Sequence, residues 1–311
     1  MILVTGASGY IGTHIVKRLA QIDKPIRAMV RSRSQAEKEG RLAGLSIEWV
    51  EADVSKSDTL AVALDGVDVV IHTVAIAIEK GRHSYEEVNF VGTKNLVDAC
   101  IAKGVKRFIN LSQLGADAEL PYRFLASKGR AQDYVATSGL QWTAFRPSVV
   151  WGPEDEFANT FARLVPLSPL IYPIVDKDAR FQPIWVEDLV TAMVKSIDDA
   201  ATIGEQYELG GPEVLTLEEI ERRTLKAIGA RRLFVPIPRP ILRLIVALME
   251  ILLPNPPVTR SLLELLAVDN VPAQNEIHRF VGEPLAFTPE NTSGYMRQFR
   301  LSQTLAQFFG K

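Results

Sequence analysis

At 311 residues the chain is long enough for a nucleotide-binding domain and a smaller companion, and 47% hydrophobic against 23% charged residues excludes a disordered or fibrous polymer. A net charge of −2 offers no bulk attraction to nucleic acid or to an anionic membrane. The single cysteine, Cys100, excludes an internal disulfide and a cysteine metal cluster, and His14, His72, His83 and His278 lack ligand spacing, so no metal is expected.

The chain opens with Ile2, Leu3 and Val4, a short apolar run with the look of a buried strand. Gly6, Gly9 and Gly12 follow at intervals of three, and Ile11, Ile15, Val16 and Leu19 then recur at helical spacing. Strand, glycine turn and helix are the context a phosphate-binding turn requires. Gly6 permits the turn, Gly9 lets a pyrophosphate reach the backbone, and Gly12 lets helix and strand pack closely. Ser8, Tyr10 and Ile11 complete this expected dinucleotide turn, whose helix N-terminus offers N–H groups to phosphate.

A second strand spans 26–30 and ends at Arg31-Ser32-Arg33. A carboxylate near this place would hold a ribose 2′-hydroxyl, whereas arginine suits a 2′-phosphate. Arg31 and Arg33 therefore point to NADP(H) rather than NAD(H). A third strand at 46–50 leads to Asp53 and Val54. Asp53 either accepts from an adenine amino group or starts a turn, with Ser55 or Ser57 capping the next helix. The fourth strand, 67–73, is near-continuous in apolar residues and so buried on both faces. It runs into Thr73, Val74 and Ala75, small enough to let backbone approach a cofactor.

A helix at 85–103 places Val88, Val91, Leu96 and Ala99 inward and stops at Gly104. A strand at 107–111 ends at Ser112, a helix spans 122–137, and a strand at 141–145 ends at Arg146. This alternation describes an α/β fold with a doubly wound parallel sheet, whose ligand lies at the strand carboxyl ends: Gly6, Arg31, Asp53, Thr73, Ser112 and Arg146. Residues 1–150 form the nucleotide-binding domain, with segments near 180–210 packing back onto it. Residues 151–311 form a smaller, mostly helical region on the substrate side. Helices are expected at 186–197 and at 217–228, the latter capped by Thr216.

Residues 238–254 hold thirteen nearly all apolar positions between two prolines, with Arg243, Ala247 and Glu250 on one narrow face. At about 20 Å the segment is too short to span a bilayer. It is either a core helix or pocket lid, or a surface for a membrane or partner subunit. Arg231, Arg232, Arg239 and Arg243 cluster near it. With a strand starting at residue 2 and no apolar stretch of spanning length, the expected location is cytoplasmic, peripheral to a membrane if that surface is used.

The segments TGASGYIG, RPSVVWGPED and YELGGPE resemble an atypical, extended short-chain dehydrogenase/reductase of the NAD(P)-dependent epimerase/dehydratase type. RFQPIWVEDLV, YELGGPEVLTLEEI and the later VDNV are similar to bacterial relatives of the nucleotide-binding accessory subunit of respiratory complex I. The resemblance implies a Rossmann domain with a small C-terminal substrate domain. It implies that Asp53 and Val54 border adenine, that Lys128 binds the nicotinamide ribose, and that Ser112 is the active-site hydroxyl. Active members carry a tyrosine four residues before the lysine, and here that residue is Phe124. A phenyl ring transfers no proton. Tyr122, six residues before Lys128, could substitute only if the helix starts late.

Two functions follow. One is an NADP(H)-holding accessory, assembly or stability factor for a membrane redox complex, with little turnover. The other is an NADPH-dependent reductase or isomerase on a hydrophobic carbonyl, quinone or isoprenoid. The sequence names no nucleic-acid partner.

Overall fold

The computed structural model describes residues 1–81, 83–167, 170–265, 268–296 and 301–309. The chain divides into two compact units. Unit 1 comprises Met1–Pro147, Val186–Leu209 and Gln274–Gly282; unit 2 comprises Ser148–Trp185, Gly210–Ala273 and Glu283–Lys311.

Unit 1 alternates strand and helix: β1 Ile2–Thr5, α1 Tyr10–Gln21, β2 Ile26–Val30, α2 Arg33–Glu39, β3 Glu48–Glu51, α3 Leu60–Ala63, β4 Val69–His72, α4 Gly92–Lys103, β5 Arg107–Leu111, α5 Arg123–Ala136 and β6 Gln141–Pro147. With the later strand Glu205–Leu209 they build a seven-stranded sheet in the order Glu205–Leu209, β6, β5, β4, β1, β2, β3. Every neighbouring pair is parallel. β1 and β5 are buried at every position, as strands covered on both faces must be. Val4 sits between Ala28 and Ile71, so the strand order reverses at β1 and opens a crevice beyond its carboxyl end.

Leu3, Val70, Leu96, Cys100, Phe108 and Val135 pack one core layer. Burial pushes the Cys100 thiol up to about 12, which marks it as an inert core residue. On the other face, α1 meets the helix Val186–Lys195. Arg18 donates to Glu187 Oε2 at 2.7 Å, and His14 Nδ1 lies 2.5 Å from Glu187 Oε1. The edge strand is fastened by Arg107. Its guanidinium is buried yet donates to the carbonyls of Gln141 and Ser196 and to the hydroxyls of Thr143 and Thr202 at 2.6–2.8 Å.

The helix expected over 85–103 is two elements. Glu86–Val91 is a π-helical turn, and α4 follows it. A π turn takes about one residue more than an α turn, so the side chains rotate off a 3.6 period. Val91, expected inward, is therefore exposed, and Ala99 is only partly buried. After β3, neither Ser55 nor Ser57 caps a helix. The Thr59 hydroxyl donates to the Lys56 and Asp53 carbonyls instead.

Unit 2 has its own core of Trp151, Phe181, Ile220, Leu225 and Phe287, with the Trp151 ring 4.5 Å from that of Trp185 and 5.3 Å from that of Phe287. Helix Leu217–Ala227 starts with a reciprocal cap. Thr216 Oγ1 accepts from the Glu219 N–H, and Glu219 Oε2 accepts from the Thr216 N–H. Asp155 is buried in its turn, where it accepts from the backbone N–H groups of Gly152, Phe157 and Asn159. Helix Arg239–Leu252 buries only Val246, so it is not a core helix. Among the described residues, no helix is long and apolar enough to cross a membrane.

Candidate functional site: a dinucleotide crevice

The site begins at the β1–α1 turn. Gly6 has φ +70°, a conformation that favours glycine, and a Cβ there would meet Thr73 Oγ1 at 2.8 Å. A Cβ on Gly12 would lie 2.1 Å from the Gly6 carbonyl oxygen, so helix and turn close only on glycine. Gly9 is the N-cap of α1 and is itself exposed, and no side chain caps the first turn. The helix opens without a side-chain cap, and an anion at such an end is favoured by the helix dipole.

Beside the turn is a cavity of about 720 Å³ lined by Ser8, Gly9, Arg31, Ser32, Gln35, Ala36, Glu39, Arg41, Asp53, Ser55, Lys56, His83 and Glu87. That volume suits the adenosine half of a dinucleotide. Arg31 and Asp53 meet here, as expected. Arg33 does not line the cavity: it opens α2, and its guanidinium is paired with Glu37 at 2.8 Å. Arg41 enters in its place, donating to the Ser8 carbonyl at 3.4 Å, and Lys56 adds a third cation. Asp53 also starts a turn, its Oδ1 accepting from the Ser55 N–H at 3.0 Å. Val54 is a core residue whose carbonyl accepts from Asn95, so its side chain does not border the cavity.

The other end of the crevice is built on β4, β5 and α5. Lys128 is 5% exposed and donates to the Leu111 carbonyl at 2.8 Å, and burial pulls its ammonium down to about 8. His72 is buried between two threonines. Thr93 Oγ1 donates to the Asn89 carbonyl, so it accepts from His72 Nε2–H at 3.0 Å; His72 Nδ1 then accepts from Thr5 Oγ1 at 2.8 Å. Burial, and then the Lys128 charge, hold His72 down to about 3. The imidazole is neutral at any working pH and leaves Lys128 as the cation of this pocket. Ser112 Oγ is buried with no hydrogen-bond partner among the described residues. The Ser112 hydroxyl thus has bonding capacity to spare beside Lys128 Nζ, which is held by the Leu111 carbonyl one residue earlier.

Asn89 holds the segment after β4. Its Oδ1 accepts from the Ile76 N–H at 2.8 Å and its Nδ2 donates to Ser127 Oγ at 3.1 Å. Tyr85 donates to the Ala77 carbonyl at 2.8 Å, and its ring packs edge-on against Phe124 at 5.6 Å. Phe124 is thus a buried ring one turn before Lys128. α5 begins at Arg123 and leaves Tyr122 at the N-cap with extended backbone. Thr73 spends its hydroxyl on the Thr5 carbonyl at 2.7 Å, Ala75 is exposed, and the Tyr10 ring sits 5.5 Å from that of His14. Ile11 is half-buried on α1.

Arg146 departs from the expected site. Its guanidinium donates to the Ala116 carbonyl at 3.1 Å and lies 3.7 Å from Glu208, and it borders a different cavity of about 350 Å³ with Asp117, Gly129 and Gln206. The edge strand supplies Glu208, and without it in view the strand-end position of Arg146 reads as part of the crevice. Arg41, His72 and Asn89 were missed. Arg41 is brought in by the chain after α2, and Asn89 by the π turn, neither of which leaves a periodic signal.

An open parallel sheet with this glycine turn and cavity is the architecture of a dinucleotide-binding Rossmann domain. Residues 6–160, about half of the chain, match the family model described as NAD(P)H-binding. The chain is 27% identical to the mitochondrial NADH dehydrogenase [ubiquinone] 1 alpha subcomplex subunit 9 of Arabidopsis thaliana, over 95% of this chain and 76% of that protein. It is 27% identical to a 3 beta-hydroxysteroid dehydrogenase/Delta 5→4-isomerase of Mycobacterium tuberculosis, over 74% of this chain and 70% of that one. A nucleoside-diphosphate-sugar epimerase from Staphylococcus aureus has the same fold, with TM-score 0.71 at 20% identity over 92% of this chain and 97% of that one.

Proposed function

We propose that the protein holds NADP(H) in unit 1 and acts as an accessory, assembly or stability factor for a membrane redox complex, with little dehydrogenase turnover. The observation that carries this reading is Phe124, a buried ring packed on Tyr85 where an acid/base tyrosine would stand. The likeness to a complex I subunit over nearly the whole chain supports the partner class. The α1 N-terminus would take the pyrophosphate, Arg31 and Arg41 the 2′-phosphate, and the Lys128 ammonium and Ser112 hydroxyl the nicotinamide ribose side. Bound nicotinamide supplies a hydride, but hydride chemistry on a carbonyl also needs a proton, and a phenyl ring has none to give. The protein itself is cytoplasmic and peripheral in this reading.

Calorimetric titration of cofactor-free protein with NADPH, NADP, NADH and NAD tests the holding role. Tight binding of the phosphorylated pair without oxidation by candidate carbonyls is expected. Steady turnover that disappears in Lys128→Ala would overturn it.

Two observations favour a working reductase or isomerase: Ser112 Oγ is buried with no partner among the described residues, and Tyr122 stands at the N-cap of α5 with extended backbone rather than inside the helix. The likeness to a steroid dehydrogenase/isomerase suits a hydrophobic substrate. In that reading Tyr122→Phe abolishes turnover; unchanged turnover removes the main protein acid.

A further inference from the structure

Helix Arg239–Leu252 is inverted relative to a helix on a globular protein. Ile241, Leu244, Ile245, Leu248, Ile251 and Leu252 cover an arc of about 120° at 100° per residue, and all six are exposed, Ile251 at 78% and Leu252 at 69%. Arg239, Arg243 and Glu250 lie on the opposite side, where Arg239 and Glu250 are tied to unit 2. Arg239 Nε donates to Asp176 Oδ1 at 2.5 Å, and both Glu250 oxygens accept from Arg260, at 2.8 Å from its N–H and 2.6 Å from Nε. A surface helix ordinarily turns its apolar stripe inward. This one spends its polar side on the protein and offers its apolar side outward.

The exposed surface continues. The Asn255 N–H donates to the Phe308 carbonyl at 3.1 Å, which sets the end of helix Leu301–Phe308 beside the chain leaving this helix. Leu301, Leu305 and Phe309 are exposed there as well. On the strand pair that precedes the helix, Leu233 registers with Ile171, and both are exposed together with Leu170. Exposed apolar side chains on three neighbouring segments of one unit mark an interaction site.

Charge decides the occupant. Residues 231–260 hold five arginines (Arg231, Arg232, Arg239, Arg243 and Arg260); Asp176 takes Arg239 and Glu250 takes Arg260, which leaves a surplus of three positive charges in a chain whose net charge is −2. A second copy would set the same arginines against each other, which like-charge repulsion disfavours. Anionic lipid headgroups would neutralise them while acyl chains take up the leucine and isoleucine face. We infer that this face of unit 2 docks on an anionic phospholipid surface, with helix Arg239–Leu252 lying in the interface plane. The inference goes beyond the cofactor reading and rests on a different unit.

The test is flotation of the full chain with phosphatidylcholine vesicles, alone and doped with about one third phosphatidylglycerol. Expected is binding to the doped vesicles that weakens with salt. At roughly 1 kcal/mol per surface arginine, Arg231→Gln/Arg232→Gln/Arg243→Gln lowers partitioning by about two orders of magnitude. Leu248→Glu/Ile251→Glu, at exposed positions the fold does not need, abolishes it while circular dichroism and NADPH titration stay unchanged. Failure to float with doped vesicles, or flotation that both variants retain, overturns the inference. So does a dimer in sedimentation velocity that the Leu248→Glu/Ile251→Glu variant dissociates. NADPH titration on the same samples reports separately on the cofactor reading.

Discussion

The arginines of the adenosine cavity give the sharpest quantitative test. Arg31 and Arg41 line the cavity, whereas Arg33 is held on α2 by Glu37. Arg31 is exposed, so Arg31→Ala leaves the fold intact. A charge-assisted hydrogen bond contributes about 1.5–3 kcal/mol net, and the lower part of that range applies to a solvent-facing guanidinium, so NADPH binding weakens about 10- to 30-fold. NADH binding, which lacks the 2′-phosphate, changes less than about twofold. Arg41→Ala follows the same pattern, and Arg33→Ala does nothing to either cofactor. Calorimetry on the three variants with both reduced cofactors reads each number directly. An equal loss for NADH, or a loss in Arg33→Ala as large as in Arg31→Ala, refutes the assignment of these side chains to the 2′-phosphate.

Three further outcomes are expected. Gly12→Ala drives a methyl group to 2.1 Å from the Gly6 carbonyl, so it lowers the thermal midpoint and removes cofactor binding together, whereas Gly44→Ala, whose Cβ meets nothing within 4 Å but whose φ is +78°, costs stability alone. Burial of Lys128 pulls its pKa from 10.5 to about 8, so in the folded state its charge is a cost that is largest below pH 8 and fades by 10.5. Lys128→Met is therefore expected to raise the melting temperature of the cofactor-free protein near neutral pH, by the equivalent of about 1–2 kcal/mol after the lost Leu111 bond, while weakening NADPH binding; a midpoint that falls as much as binding does would make it a structural residue only. In unit 2, burial lifts Glu221 from 4.5 to about 8, so the folded state keeps its proton and stability is lost as pH rises from 4.5 to 8. Glu221→Gln is expected to flatten that slope and add about 3 kcal/mol at pH 7, measured by denaturant titration across pH, and an unchanged slope would place the titrating group elsewhere.

Local spacing carries far in this chain. The apolar run before Gly6, the three-residue glycine interval and the helical period after it already specify the β1–α1 turn, because backbone sterics at Gly6 and Gly12 act over a few residues. The strand–helix alternation through residue 147 reads as a parallel sheet for a similar reason: strands buried on both faces are near-continuous in apolar residues, as in Ile2-Leu3-Val4 and Val69-Val70-Ile71. The Thr216–Glu219 cap is equally local. What failed was anything set by a distant segment or by a change of helical period. Val91 faces outward because a π turn precedes α4, and residue composition does not encode that extra residue. Arg146 is drawn aside by Glu208, sixty-two positions later, and Arg41 replaces Arg33 because α2 carries the latter away. The apolar helix Arg239–Leu252 marks the boundary most plainly. Its sequence established a nearly all-apolar helix too short to span a membrane, but left a core or lid reading, the favoured one, beside a surface reading. Only the tertiary contacts of Arg239 with Asp176 and of Glu250 with Arg260 decided which side faces the protein, because an amphipathic pattern specifies two faces and not which of them the fold turns inward.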